Sequence, residues 1–226
     1  MIPKIIWQTH EKPYEDLKPF QKDVANTWKN LNPGWEYRYV ESEEREQHIK
    51  DYNETLYKSY ILSDGINQAD LWRIVITYQY GGFYADMDSI CRRPIDEMIN
   101  EKYKGEDMIS SSPGFQTPAN WVNNSNFAVI KNSKIMKSII DKATLECKTI
   151  LDNEHHALFK NPGVLVWHHF CNTVVENRAN VCFDESYFYH SKDYKKSLNL
   201  DYEILYNGNQ MIYSDLVKMN KWAIHQ

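Results

Sequence analysis

The chain has 226 residues, of which 42% are hydrophobic, 25% charged and 14% aromatic, with a formal net charge of −5. That length and apolar content suffice for one domain over residues 1–226 with a full core, and the acidic balance excludes the basic stripe of a nucleic-acid binder. No apolar run approaches the roughly 18 residues of a membrane span, no charged-then-apolar leader opens the chain, and Cys91, Cys147, Cys171 and Cys182 lack C-x-x-C spacing. The sequence therefore reads as a soluble, cytoplasmic protein with reduced core cysteines and no transmembrane segment. Seven Trp and sixteen Tyr exceed what such a core needs, which predicts that some rings line a groove for sugars or bases.

The opening Ile2 to His10, IPKIIWQTH, is a short apolar run ending in polar residues, the pattern of a buried strand. Residues from Tyr14 to Leu31 read as a helix closed by Asn32, Pro33 and Gly34, and Trp35 to Val40 as a second strand. Glu41 to Asn53 reads as a surface helix, with Glu43, Glu44 and Glu46 on its solvated face. Strand, helix, strand at the start favours a sheet with crossover helices.

A helix follows from Asn67 to Tyr80, with Leu71, Ile74, Val75 and Tyr78 on its apolar face, and Gly81 and Gly82 stop it. Phe83 to Asp86 then forms a strand ending at the sheet rim, where open α/β sheets bind ligands. Downstream, Asp107 to Ser111 and Asn126 to Lys131 read as strands, Lys134 to Leu151 and Asn161 to Phe170 as helices. The last third reads as short strands and loops, with Trp222 to Gln226 returning toward the active-site edge.

The most informative stretch runs from Asp70 to Asp88, ADLWRIVITYQYGGFYADMD from Ala69. Asp86 and Asp88 flank Met87, and in an extended segment alternate side chains point the same way, so both carboxylates can converge on one hard cation. Such a pair suits Mg²⁺ or Mn²⁺ held against a diphosphate, where the cation neutralises the charge of the leaving group. Asp70 and Arg73, three residues apart, share one side of the preceding helix.

At these residues the chain resembles a known family. IPKIIWQTH, the AD-L-W-R block through YGGFYADMD, Pro94-Ile95-Asp96, the NPG at Asn161 to Gly163 and the AIH at Ala223 to His225 look like the glycosyltransferases that carry a DXD sugar-binding region. That group, of family 32 type, includes yeast-type initiating α-1,6-mannosyltransferases, capsular polysaccharide transferases and, distantly, the glucosyltransferase domains of large clostridial toxins. The resemblance implies a single GT-A domain with a Rossmann-like mixed α/β sheet flanked by helices, a nucleotide-sugar donor (UDP-sugar or GDP-sugar), a carbohydrate acceptor, Mn²⁺ or Mg²⁺, and retention of anomeric configuration. By the same resemblance, Asp88 is a direct metal ligand, Asp86 contacts the metal shell and the donor, and Asp70 and Arg73 bind sugar hydroxyls and a phosphate. Tyr84 sits beside the nucleotide, Trp7, with Gln8 next to it, takes the place of a ring that stacks on the base and tilts the reading toward uridine, Asn126 lies near the donor sugar, and His225 completes the metal shell. Asp86, Asp88 and Arg73 are the residues expected to carry catalysis. Many relatives continue past this histidine to a Ser-Trp pair, whereas here the sequence ends one residue later, so either more chain follows or the site closes differently.

Two other readings compete. A metal-dependent phosphohydrolase also places Asp-x-Asp after a strand, though with an apolar lead-in and a Thr or Ser close behind, whereas here Gly-Gly-Phe-Tyr leads in. A non-catalytic nucleotide-sugar or carbohydrate-binding module would keep the fold without the reaction. The pairs His155-His156 and His168-His169 are poor chelates because adjacent residues do not share a helix face. Arg92 and Arg93, just past the motif, meet either a phosphate or the surface.

Overall fold

The computed structural model describes residues 1–110, 122, 124–152, 162–183, 188–189 and 223–225. The elements run β1 (Ile5–Thr9), α1 (Pro19–Leu31), β2 (Glu36–Val40), α2 (Ser42–Tyr52), α3 (Glu54–Ile61), α4 (Gly65–Tyr80), β3 (Gly82–Ala85), β4 (Ser89–Cys91), α5 (Ile95–Lys102), β5 (Met108–Ser110), β6 (Asn126–Val129), α6 (Lys134–Asp152), α7 (Pro162–Glu176), β7 (Val181–Phe183), β8 (Phe188–Tyr189) and β9 (Ala223–His225). Among the described residues, six strands form one mixed sheet in the order β2-β1-β3-β6-β5-β7, and β4-β9-β8 form a small second sheet. β1 lies parallel to both β2 and β3, whereas β6 runs antiparallel to β3. The mixed α/β reading of the sequence is thus borne out.

Strand parity divides the core. Ile6, Phe83, Ala85, Ile109 and Ala128 face one side, where they pack with Val24 and Trp28 of α1 and Met98 of α5. Trp7, Tyr84, Met108, Phe127 and Val129 face the other, against α4, α6 and α7. Both faces of the sheet are therefore covered, as parallel strands require. Tyr84 and the next residue of its parity, Asp86, consequently look toward α4.

Several elements differ from the sequence reading for identifiable reasons. The helix expected from Tyr14 breaks: Tyr14–Asp16 is a single 3₁₀ turn, and Leu17 and Lys18 are extended with ψ of 143° and 148° before Pro19 opens α1. The proline excludes helical geometry from the residue before it. α3 was not anticipated; it begins where Asn53 caps it, its side chain accepting from Leu56 N at 2.9 Å. β4 and α5 were likewise unread, being three and eight residues long. The four cysteines are buried and free, as expected.

α4 is the element that positions the site. Asp64 caps it, accepting from Asn67 N at 3.1 Å, and Gly81 ends it with φ of +70°, a conformation that suits a residue without Cβ. Gly82 follows at φ +104°, and a Cβ there would fall 2.6 Å from Ile5 O. The glycine pair therefore lets β3 leave the helix and run alongside β1.

Candidate active site

The residues predicted from the Asp70 to Asp88 block do come together. Arg73 is 5% exposed, and its Nη2 lies 2.9 Å from Asp70 Oδ1 and 3.1 Å from Asp86 Oδ1. Its Nη1 donates to Asn124 O at 2.8 Å, and its guanidinium carbon stands 4.5 Å from the Tyr84 ring centroid. The Tyr84 hydroxyl donates to Asp86 Oδ1 at 2.6 Å, and Asn124 Nδ2 donates to Asp70 Oδ1 at 3.1 Å. Asp70 and Asp86 thus share one guanidinium, and α4, β3 and the segment entering β6 are tied at a single point.

The electrostatics follow from this burial. Burial pushes the Asp70 carboxyl above its ordinary value; Arg73 opposes that shift, and Asp86 adds to it. Burial alone would lower Arg73, but Asp70 and Asp86 outweigh it and hold the guanidinium charged. Tyr84 is pushed well above the ordinary tyrosine range by burial, with Arg73 opposing and Asp86 reinforcing, so its hydroxyl keeps its proton as a donor.

The Asp-x-Asp segment corrects the expectation of an extended strand end. β3 stops at Ala85, and residues 86 to 89 form a turn in which Ser89 N donates to Asp86 O at 3.0 Å. Met87, 7% exposed, packs with Leu17 and Ala25. Turn geometry, not strand alternation, brings Asp86 and Asp88 to the same cleft, which encloses about 780 Å³. Gln8 and Ser125 clamp this turn from two sides: Gln8 Nε2 donates to Asp86 O at 3.0 Å and Asp86 N to Ser125 O at 2.9 Å.

The other predicted positions lie elsewhere. Trp7 is 5% exposed within the core, where it packs against Trp72 at 6.3 Å, and its Nε1 donates to Gly81 O at 2.9 Å. Gln8, fully buried, accepts from the Tyr37 hydroxyl at 2.8 Å. Asn126 sits behind the rim at 5% exposure, its Nδ2 donating to Ser89 Oγ and Ser125 Oγ at 3.0 Å. The register of β9 on β4 sets His225 opposite Ser89, one residue beyond Asp88. Among the described residues, Trp28 and Trp72, like Trp7, fill the core, while Tyr84 and Phe20 line the cleft.

The histidine and arginine pairs take ordinary roles. His169 meets Glu146 at 2.5 Å, His168 meets Asn172 at 2.9 Å, and Arg93 pairs with Glu97 and Glu101 at 2.8 and 2.9 Å. Arg92 is buried at 1% exposure. His155 and His156 lie outside the described residues. Sequence reasoning missed Thr9, His10, Glu11, Lys18 and Arg45, which line the other end of the cleft. Asn124 was also missed; no periodicity singles out a loop residue that binds through its own carbonyl.

Among the described residues, no three His, Cys, Asp or Glu side chains form a ligand cluster. Two cleft carboxylates with no further protein ligand nevertheless match the way Mg²⁺-like cations are held, by one or two carboxylates with the remaining positions left to phosphate and water. The donor set of Asp86 and Asp88 fits such an ion.

A mixed sheet with both faces covered, and an Asp-x-Asp turn at the rim beside the end of its first strand, is the GT-A fold of glycosyltransferases. Two solved structures share it: the PaToxG glycosyltransferase (TM-score 0.55, 13% identity, 96% of this chain and 79% of that one) and mouse xyloside xylosyltransferase 1 (TM-score 0.54, 9% identity, 99% and 97%). Residues 20–104 match the glycosyltransferase sugar-binding region containing a DXD motif, and Asp70, Arg73, Tyr84, Asp86 and Asp88 lie inside the matched stretch. The initiation-specific alpha-1,6-mannosyltransferase of Candida albicans is 33% identical over 106 residues, 44% of this chain and 27% of that protein. Inositol phosphoceramide mannosyltransferase 3 of Schizosaccharomyces pombe is 37% identical over 105 residues, 44% and 28% respectively. The matched stretch thus spans less than a third of these curated relatives. No helix among the described residues is long and apolar enough to cross a membrane.

Proposed function

We propose that residues 1–226 act as one metal-dependent, retaining glycosyltransferase domain that moves a hexose from a nucleotide diphosphate sugar to a carbohydrate acceptor. The observation that carries this reading is the Asp70–Arg73–Tyr84–Asp86 array beside Asp88 in the cleft, inside the DXD region. Asp88 would be the direct ligand of Mn²⁺ or Mg²⁺ and Asp86 would contact its shell, with the backbone of His225 set opposite Ser89 by register. The cation, when bound, neutralises the diphosphate as it leaves. Arg73 holds the two aspartates in place and offers its charge to a donor phosphate. The acceptor hydroxyl attacks the face that the diphosphate leaves, the bond from the anomeric carbon to the phosphate oxygen breaks, the glycosidic bond forms, and the departing phosphate oxygen takes the hydroxyl proton.

The yeast relatives are named as mannosyltransferases, which supports a hexose donor. The tilt toward uridine came from Trp7, whose ring packs in the core, so UDP-linked and GDP-linked sugars stand as donors to be tested side by side. The test is a thermal-shift and donor-hydrolysis panel with both, with and without Mn²⁺, on the wild type and on Asp88→Asn. A metal-dependent shift with one donor, and slow sugar release lost in the variant, is expected. Nucleotide binding without release would leave a binding module, and phosphate release from a generic phosphomonoester would point to a hydrolase.

A further inference from the structure

The far end of the cleft carries charges that the roles given to Asp86 and Asp88 do not use. Arg45 belongs to α2, a helix that reads as solvated surface, yet it is 1% exposed. Its Nη2 pairs with the Glu11 carboxylate, its Nη1 reaches Thr9 Oγ1 only at 3.3 Å, and its Nε is buried with no hydrogen-bond partner among the described residues. A guanidinium has five donors and no accessible neutral form, so an unmet Nε–H in a buried position carries a desolvation cost. Glu11 is a half-exposed counter-ion: its side chain is 49% exposed on the loop after β1. Its carboxyl lies over Gly65, the first residue of α4, where a Cβ would approach it to 2.7 Å. The carboxylate therefore occupies a helix N-terminus, where free backbone N–H groups and the helix dipole favour an anion. His10 and Lys18 line the same end.

We propose that Arg45, with Thr9 and the first turn of α4, forms a second anion-binding site of the cleft, and that Glu11 occupies it until a phosphate or carboxylate of a ligand takes its place. The planar fork of arginine suits either oxyanion. In the proposed transferase the anion belongs either to the donor diphosphate or to an acidic group on the acceptor. The site itself rests on the cleft geometry, and only the naming of its ligand rests on that reading.

The test is calorimetric titration of the intact chain with inorganic phosphate in a chelating buffer, where neither a divalent metal nor transfer takes part. Glu11→Gln removes the competing charge with little change in shape and should tighten phosphate binding about tenfold, the effect of removing one charge at contact distance. Arg45→Gln in that background should abolish binding, while Asp88→Asn should leave it unchanged. Unchanged or weaker phosphate binding by Glu11→Gln overturns the proposal, whether or not the chain transfers sugar. Should the Arg45 variant fail to fold, Gly65→Ala, whose Cβ would enter the space that Glu11 and the anion share, should weaken phosphate binding in the Glu11→Gln background; unchanged binding there counts against the site. Competition between phosphate and UDP or GDP assigns the anion to the donor, and simultaneous binding assigns it to an acidic acceptor.

Discussion

At the scale of single residues, Arg73 is the member of the site that nothing else can replace. Its two nitrogens serve Asp70, Asp86 and Asn124 at once, and lysine offers a point charge without that fork. Arg73→Met should destabilise the chain by about 3–5 kcal/mol, the usual result of removing one partner from a buried ion pair, read as a lower urea midpoint. Tyr84→Phe should cost only about 1 kcal/mol, one net hydrogen bond, yet lower donor turnover because Asp86 loses the donor that fixes its rotamer. Asp70 also makes stability depend on pH. Its folded pKa lies above the ordinary 3.8, mainly through burial, so the folded state holds the proton more tightly than the unfolded chain. This contribution is present at low pH and is lost as pH rises from 3.8 through the folded value. Asp70→Asn should flatten that decline, which urea unfolding across pH 3.5 to 7 would display as a difference from the wild type.

At the scale of elements, α4 was legible because a long apolar period followed by two glycines is a local signal, and so were β1, β2 and the rim position of Asp86. The turn at Asp86 to Ser89 was not, because Met87 reads as a strand residue until the Leu17 and Ala25 that bury it are known to be nearby. Arg45 was hidden for a related reason: four acidic neighbours between Glu41 and Glu46 make α2 look solvated, and only the fold shows that its inner side covers the end of β1. The contact of α2 with α4 is also sensitive to pH. Trp72 Nε1 donates to His48 Nδ1 at 3.1 Å, with the two ring planes 13° apart, so that nitrogen must be free of a proton. The His48 pKa is lowered, chiefly by burial, with Glu44 and Asp51 opposing. The unfolded chain therefore binds the proton more readily, and this contribution is present above the ordinary 6.5 and is lost as pH falls below it. His48→Asn, which keeps an acceptor without the titration, should remove the loss of stability as pH falls below 6.5, measured by thermal melts in matched buffers.

At the scale of the whole molecule, the site depends on parts of the chain far apart in sequence. The Asp86–Ser89 turn is held by β1 through Gln8, by Ser125 just before β6, and, just beyond, by β9 through its ladder with β4. The sequence reading returned residues 222–226 to the active-site edge and took the role of His225 from resemblance, since a three-residue strand has no period to detect. Its register makes a specific demand. His225 pairs with Ser89, Ile224 with Ile90 and Ala223 with Cys91, so β9 pins the backbone that follows Asp88, and the family resemblance adds a role for the His225 ring in the metal shell. These two effects separate in a pair of variants. His225→Ala keeps the backbone ladder and removes only the ring; if the ring completes the metal shell, the Mn²⁺ concentration for half-maximal donor hydrolysis should rise about tenfold or more, as loss of a metal's supporting group does, with the melting temperature unchanged. Deleting residues 223–226 removes the ladder as well, and should both raise the Mn²⁺ requirement and lower the melting temperature, because β4 becomes an unpaired edge. Equal Mn²⁺ requirements for His225→Ala and the wild type, with a loss only on deletion, would reduce β9 to a brace for the Asp88 turn and leave the two aspartates as the metal's protein ligands.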